Sequence, residues 1–406
     1  MPRSGTRTGT RTGTRTGSEL TFRRMRMLVL GAGLQGSACA YDLLQNPDVQ
    51  EVRLADLSVD RLPEFLTPYL GKRLIPTRLD VRDASAVRAF FALGDAAMSA
   101  IPYYFNFELA RLAVESKVHF CDLGGNTEIV FQQKELHAKA QDAGVTVIPD
   151  CGVAPGMVNI LAQHGISQLD RTQSVKIFVG GLPQNPEPPL NYQIVYSLEG
   201  VLDYYTTLSW VLRNGKRQQV KALSEVEPIK FPAPVGELEA FHTAGGLSTM
   251  AFRYEGKIPQ MEYKTLRYPG HAHIMAAVRE LGLLDLAPIN VKGTKVVPRD
   301  VAVAAMSPHL TRPKGKDLVA LRVDVEGVSK GAPKRIEFEL LDYYDTARGI
   351  SAMMRTTGYS LSITGQFQAC NAAGQPGVYT PDESMPARRY IEALRARNIE
   401  IRESVN

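Results

Sequence analysis

The sequence predicts an α/β protein in two parts. A parallel sheet wrapped by helices comes first. A second α/β (α+β) unit with a mixed or antiparallel sheet follows, and the last helices return to the first part. Three observations predict this. Short apolar runs alternate with helical patterns from Met27 to Pro149, which is the mark of βαβ units. Four prolines crowd residues 183–189, and the runs after them are strand-like. From Ile350 the pattern turns helical again.

Each element has a local reason. Met27–Gly31 is an apolar run ending on glycine, read as a strand. Leu34–Gln45 carries helical spacing and stops at Asn46-Pro47, a pair that ends helices. Val52–Asp56 and Leu74–Asp80 read as the second and third strands. Asp83–Leu93 is helical, Ala96–Ile101 the fourth strand, and Phe107–Ser116 the next helix. Val118–Leu123 is the fifth strand, Glu128–Ala143 a helix, and Val145–Pro149 the sixth strand. Beyond residue 151, strand-like runs lie around 226–231, 248–254, 260–267, 318–326 and 335–343. A helix runs through Ala369, and 386–397 is a charged helix. The expected division is a tail over 1–24, one domain over 25–152 joined by about 350–406, and a second over 153–349.

Of 406 residues, 44% are hydrophobic and 22% charged. That is ordinary for a globular chain and excludes a collagen, a wholly disordered protein or a disulfide scaffold. The four cysteines (Cys39, Cys121, Cys151, Cys370) include no closely spaced pair. This fits a reducing, cytoplasmic setting and argues against structural zinc. No apolar run is long enough to cross a bilayer. The net charge of +5 misleads, because residues 1–26 hold seven arginines against Glu19 alone. The rest of the chain is nearly neutral, so it carries no nucleic-acid footprint. The Arg-Thr-Gly-Thr repeat over residues 5–18 has nothing apolar to bury, so a disordered tail is expected.

Gly31-Ala-Gly33-Leu34-Gln35-Gly36 follows the first strand and opens the first helix, and Asp56 ends the second strand 20 positions later. This is the context in which the glycine pattern binds a dinucleotide. Gly31 permits the tight turn, Gly33 lets the pyrophosphate approach, and Gly36 lets helix and strand pack. The helix N-terminus offers amides to the phosphates. Asp56 would accept from the ribose hydroxyls and repel a 2′-phosphate, so NAD is the expected coenzyme. Asp80 and Val81 are candidate adenine contacts, and Ala100, Ile101 and Pro102 candidate walls toward the nicotinamide.

With these residues the run Met27–Asp56 resembles the start of the saccharopine dehydrogenase family. Cys121-Asp-Leu-Gly-Gly125, Val147-Ile-Pro-Asp150 and Gly152-Val-Ala-Pro-Gly-Met-Val-Asn159 strengthen the resemblance. So do Ser197-Leu-Glu-Gly200, Glu239-Ala-Phe-His-Thr-Ala-Gly-Gly246 and Tyr263-Lys-Thr-Leu-Arg-Tyr-Pro-Gly-His271. The likeness runs from Met27 to about Arg397 and is greatest to the lysine 6-dehydrogenase branch. It implies a Rossmann domain, a second catalytic and oligomerising domain, and a homo-oligomer. It also implies NAD-dependent oxidative deamination of the lysine ε-amine, giving allysine, NADH and ammonia. In the family the loop carrying Pro155 and Gly156 faces nicotinamide and substrate.

Lysine sets the remaining demands. Its carboxylate needs a cation, for which Arg267 and Arg322 are candidates. Its ammonium groups need acidic or polar partners, and Glu199 and Tyr192 flank the Pro-rich loop. Hydride leaves only a neutral amine, so a base is sought. His242 is the first candidate, His271 the second, and Lys264 serves only if burial lowers its pKa. Asp122 could orient the amine. No metal constellation is legible, and no nucleic-acid or membrane partner is expected. The rivals are a family enzyme acting on a secondary amine such as saccharopine or carboxynorspermidine, and a coenzyme-binding regulator without turnover.

Overall fold

The computed structural model describes residues 24–406; the expected tail lies outside them except for Arg24. The first sheet is built by β1 (Met25–Leu30), β2 (Val49–Asp56), β3 (Leu74–Arg78), β4 (Ala96–Ser99), β5 (His119–Asp122) and β6 (Thr146–Ile148). Between them run α1 (Leu34–Gln45), α2 (Ala84–Phe91), α3 (Asn106–Glu115), α4 (Thr127–Lys134) and α5 (His137–Ala143). All strand pairs are parallel, in the order β6-β5-β4-β1-β2-β3. The order reverses between β1 and β4, which creates the crevice where such sheets bind ligands. The helix expected over Glu128–Ala143 breaks into two at Glu135-Leu136. Few apolar residues hold its middle to the core, since only Val130, Gln133 and Leu136 are buried between Glu128 and Leu136.

The second part opens with α6 (Met157–Ile166), β7 (Arg171–Pro183), α7 (Leu198–Thr206), β8 (Ser209–Arg213), β9 (Lys216–Val220), β10 (Glu227–Lys230) and β11 (Glu237–His242). Then come α8 (Met250–Arg253), β12 (Gln260–Arg267), α9 (His271–Glu280), β13 (Ile289–Val291), β14 (Thr294–Val296), α10 (Pro298–Leu310), β15 (Asp317–Ser329) and β16 (Ala332–Tyr343). The chain closes with α11 (Ala352–Ala369), β17 (Gly377–Val378), α12 (Pro381–Ser384), α13 (Ala387–Arg395) and β18 (Arg402–Val405). The large sheet runs β10-β11-β12-β7-β15-β16-β18, with β8 and β9 attached at β12. It is mixed, because β12 pairs with β7 in parallel and β15 with β7 antiparallel. The strand expected over 248–254 is instead a turn and the short helix α8. Its apolar residues, Met250 and Ala251, bury on one helical face.

The two sheets meet over α11. That helix is buried along nearly its whole length and packs against α1, β4, β5 and β15. Small residues make the approach possible: a Cβ on Gly358 would stand 2.7 Å from Ala38 Cβ, and one on Gly365 2.4 Å from Met98 Sδ. β17 joins the first sheet beside β6. Among the described residues no helix is long and apolar enough to cross a membrane.

Candidate active site

The crevice begins at the glycine turn. Gly31 lies at φ +98°, and a Cβ there would meet the Ala100 carbonyl oxygen at 2.8 Å and Ile101 Cγ2 at 2.9 Å. Ala100 and Ile101 thus brace the turn from behind, and Pro102 follows them at the surface. A Cβ on Gly36 would strike the Gly31 carbonyl oxygen. Gly33, in contrast, has no atom within 4 Å of that position, so a ligand can approach its backbone. The α1 N-terminus carries no side-chain cap, and its amides are open to an anion. Leu34 is half exposed over the same turn. Asp56 accepts from Ala32 N–H at 2.7 Å and Ser58 N–H at 3.2 Å, and no cation pairs with it among the described residues. These residues fit a dinucleotide. Asp80 differs: Arg82 binds it at 2.6 Å and holds its carboxyl down at about 2. Val81 is half-buried against the apolar core beside the first sheet.

Beyond the turn, a cavity of about 200 Å³ lies between the two sheets. Gln35 of α1, Leu123 and Gly124 after β5, and Val153 and Pro155 form its coenzyme side. Tyr204 of α7, Thr243 after β11, and Tyr263, Thr265 and Arg267 of β12 form the opposite side. The alternation of strands explains this wall, because Tyr263, Thr265 and Arg267 stand two apart on one face of β12. Gly156 is buried behind the loop, where a Cβ would stand 2.3 Å from the Gly152 carbonyl oxygen.

Arg267 decides the chemistry of the cavity. It is 3% exposed and is the one charged side chain in the wall. It donates to the Leu266 carbonyl at 2.9 Å, and its Nε has no hydrogen-bond partner among the described residues. Its guanidinium lies 4.7 Å from the Tyr192 ring centroid. No carboxylate pairs with it among the described residues. A buried cation without a counter-charge is costly, and an anionic ligand would relieve it. Gln35 adds a second unpaired group, a buried amide oxygen in the coenzyme-side wall.

Several sequence candidates lie elsewhere. His242 pairs in register with Lys264, and both project from the face of the sheet away from the cavity. There His242 Nε2 meets Glu225 at 3.1 Å, Lys264 Nζ donates to Glu227 at 2.6 Å, and Arg213 donates to Glu262 at 2.6 Å and Glu225 at 3.0 Å. Burial lowers the His242 pKa. The expectation that either residue is the base is corrected by the strand period, which turns residue 242 opposite to residue 243 and residue 264 opposite to residue 263. Glu225, His242 and Glu262 bring ligand atoms within 4.8 Å of one another, but Arg213 already bridges both carboxylates.

His271 lies inside the second part, stacked on Phe241 at 7°. Its Nδ1–H donates to the Leu190 carbonyl at 3.1 Å, so Nε2 accepts from Tyr205 O–H at 2.9 Å. Burial and the nearby Arg267 push it down to about 3, so it stays neutral. Tyr192 stands behind Arg267, its hydroxyl buried and unpaired. Arg322 points from the far face of β15, donating to Glu339 at 2.7 Å and lying over Phe231. Glu199 is exposed on α7 and lines no cavity. Arg322 and Glu199 therefore do not meet a ligand in this cavity.

Asp122 is fully buried and accepts from Gln133 Nε2 at 2.7 Å. Sequence reasoning passed over its neighbour Asp150, which holds φ +63° and accepts from Gly125 N–H at 3.0 Å. A Cβ on Gly124 would collide with its carboxylate, so it lies directly behind the cavity wall. Burial pushes Asp122 up to about 6 and Asp150 up to about 7. Tyr204, Tyr263, Thr243 and Thr265 were also missed, although the period-two spacing from Arg267 would have found two of them.

Comparison with known proteins agrees with this architecture. Residues 27–148 match the family model described as the saccharopine dehydrogenase NADP binding domain, and residues 152–399 the saccharopine dehydrogenase C-terminal domain. The Saccharomyces cerevisiae saccharopine dehydrogenase [NADP(+), L-glutamate-forming] is 27% identical over 267 residues, 64% of this chain and 58% of that protein. The Vibrio cholerae carboxynorspermidine synthase is 22% identical over 89% of this chain and 93% of its own. The apo saccharopine dehydrogenase (L-Glu forming) structure from Saccharomyces cerevisiae superposes with a TM-score of 0.77 at 21% identity, covering 94% of this chain and all of that one.

Proposed function

The chain belongs to the saccharopine dehydrogenase family, and from that premise we propose that it is an NAD-dependent oxidoreductase that deaminates L-lysine at its ε-carbon. Bound NAD supplies the acceptor for the hydride that leaves Cε, and water adding to the resulting C=N carbon releases ammonia and the aldehyde. The observation that carries the reading is Arg267, a buried and unpaired cation facing the cavity beside the coenzyme turn. It binds the substrate carboxylate by charge-assisted hydrogen bonds, and Tyr192 behind it fixes its plane.

The reacting nitrogen must be neutral. In water the lysine amine titrates near 10.4, so neutrality at pH 7 costs about 4–5 kcal/mol. One feature of the wall lowers that cost: Leu123, Val153, Val179 and Met353 line the site with apolar surface, and desolvation favours the neutral amine. Gln35 Oε1, unpaired and buried, accepts from the amine N–H. Asp150, whose carboxyl burial pushes up to about 7, is the carboxyl reserve behind the wall. Asp56 supports NAD over NADP, because its uncompensated carboxylate opposes a 2′-phosphate.

The test mixes lysine and NAD with the protein and follows NADH absorbance and ammonia together. Equal amounts of both are expected, at a rate that rises toward alkaline pH. Turnover of saccharopine but not of lysine would overturn the lysine assignment.

A further inference from the structure

Two residues with left-handed backbone meet behind the cavity. Asp150 sits at φ +63° after β6, and Ser248 at φ +51° in the turn after β11. Such backbone is uncommon outside glycine and persists where the surrounding structure enforces it, often at functional sites. The Ser248 hydroxyl hydrogen-bonds the Asp150 carboxylate, and Gly125 N–H donates to Asp150 Oδ1 at 3.0 Å. Asn159 of α6 pins the same turn. Its Nδ2 donates to the Gly246 carbonyl at 3.2 Å and the Leu247 carbonyl at 3.3 Å. The contact between serine and carboxylate is therefore held from both parts of the molecule.

The pair joins a buried carboxyl to an accessible space. Asp150 is buried behind Gly124. Ser248 lines a second chamber of about 460 Å³, which shares Tyr204 and Ala244 with the cavity, so the two adjoin. A hydroxyl accepts a proton on its oxygen while donating its own, so it can pass protons between carboxyl and chamber. Asp122 of β5, Asp382 of α12 and Tyr204 of α7 are the ionisable groups that face Asp150. Asp382 is answered by Arg253 at 2.6 Å, and no cation pairs with Asp150 among the described residues. Burial, with the two carboxylates as like charges, pushes Asp150 up to about 7. A group in that range both takes and gives a proton at neutral pH.

We propose that Ser248 and Asp150 form a proton relay for the hydrolytic half of the reaction, taking a proton from the water that attacks the C=N carbon and returning it to the departing nitrogen. The inference rests on the function proposed above. Once hydride has left, the water oxygen bonds to the C=N carbon and the π pair moves to nitrogen. The water's proton passes to Ser248 Oγ as the Ser248 proton passes to Asp150. The proton then returns by the same route to nitrogen, and the C–N bond breaks with its electron pair on nitrogen. The hydroxyl oxygen closes to C=O, and its proton leaves with ammonia as ammonium. Nothing is oxidised or reduced in these steps.

The test follows lysine and NAD by stopped flow and rapid quench in the native protein, Asp150→Asn and Ser248→Ala. Asparagine keeps an oxygen for Gly125 N–H and tolerates positive φ, whereas alanine keeps Cβ and removes only the hydroxyl. In both variants the first NADH per site should form at the native rate. Later turnovers, read as NADH and ammonia together, should slow by about a hundredfold, so a burst of one NADH per site appears. A merely structural Asp150 would slow first and later turnovers alike. That result, or native steady-state rates in both variants, would overturn the relay and leave the function standing. If saccharopine is turned over and lysine is not, the lysine assignment fails. The same burst measured on saccharopine then decides the relay, since water must hydrolyse a C=N bond there too. If neither compound is turned over, function and relay fall together.

Discussion

The two faces of β11 and β12 both carry buried charge and differ in how that charge is answered. On the far face, His242, Lys264 and Glu262 meet Glu225, Glu227 and Arg213, and every charge has a partner within 3.1 Å. On the cavity face Arg267 is just as buried and has no carboxylate. A saturated network closes on itself and stabilises the fold. An unpaired buried charge is held in place by the fold and waits for a ligand. The difference shows why counting chemically able residues, without their partners, points to the wrong face.

The comparison can be broken most directly at Arg267. Arg267→Met should lower kcat/KM for a carboxylate substrate by about two to three orders of magnitude, from the roughly 2–5 kcal/mol lost with one partner of a buried charge pair. Thermal stability should hold or rise, because an uncompensated charge is removed. A variant that loses stability and keeps activity would place Arg267 with the structural face. His242→Ala should behave in the opposite way. Chemical denaturation should report a loss of about 1–3 kcal/mol from its unmatched partners, with kcat/KM within about twofold of the native value.

The same distinction sorts the carboxylates. Asp80 is answered by Arg82, while Asp56 faces the crevice without a cation. Because like-charge juxtaposition costs several kcal/mol, Asp56→Ser should reduce the preference for NAD over NADP by about tenfold, measured as the ratio of kcat/KM values. The smallest effect is a slope. Burial lifts Asp150 from its ordinary 3.8 to about 7, so the folded state keeps a proton that the unfolded chain gives up. Stability then falls as pH rises from about 4 to about 7. Thermal melts of Asp150→Asn across that range should show a shallower fall, with Asp122 supplying what remains.

Much of the first part was legible in the sequence because it is local. The helix read over Leu34–Gln45 has those bounds in the structure, since a glycine turn opens it and Asn46-Pro47 closes it. The roles of Gly31, Gly36 and Asp56 follow from positions a few residues apart on one turn and one strand end. The 13-residue strand β7 and the helices α9 and α10 were not read. Their apolar residues serve long-range pairing and lack the clean alternation or periodicity that marks an element on its own.

By itself the sequence determined the fold class, the dinucleotide turn and the family likeness, all of which rest on short-range spacing. Only the tertiary structure decided which charges are answered. The strand period says that residues 263, 265 and 267 share one face and 262, 264 and 266 the other. It does not say which face looks at α11 and the coenzyme turn. That is settled by partners far away in the chain: Glu225 and Arg213 come to His242 and Glu262, and Glu339 comes to Arg322, while nothing among the described residues comes to Arg267 Nε. A side chain's chemistry depends on what lies within about 4 Å of it, and those neighbours are supplied by the packing of distant segments.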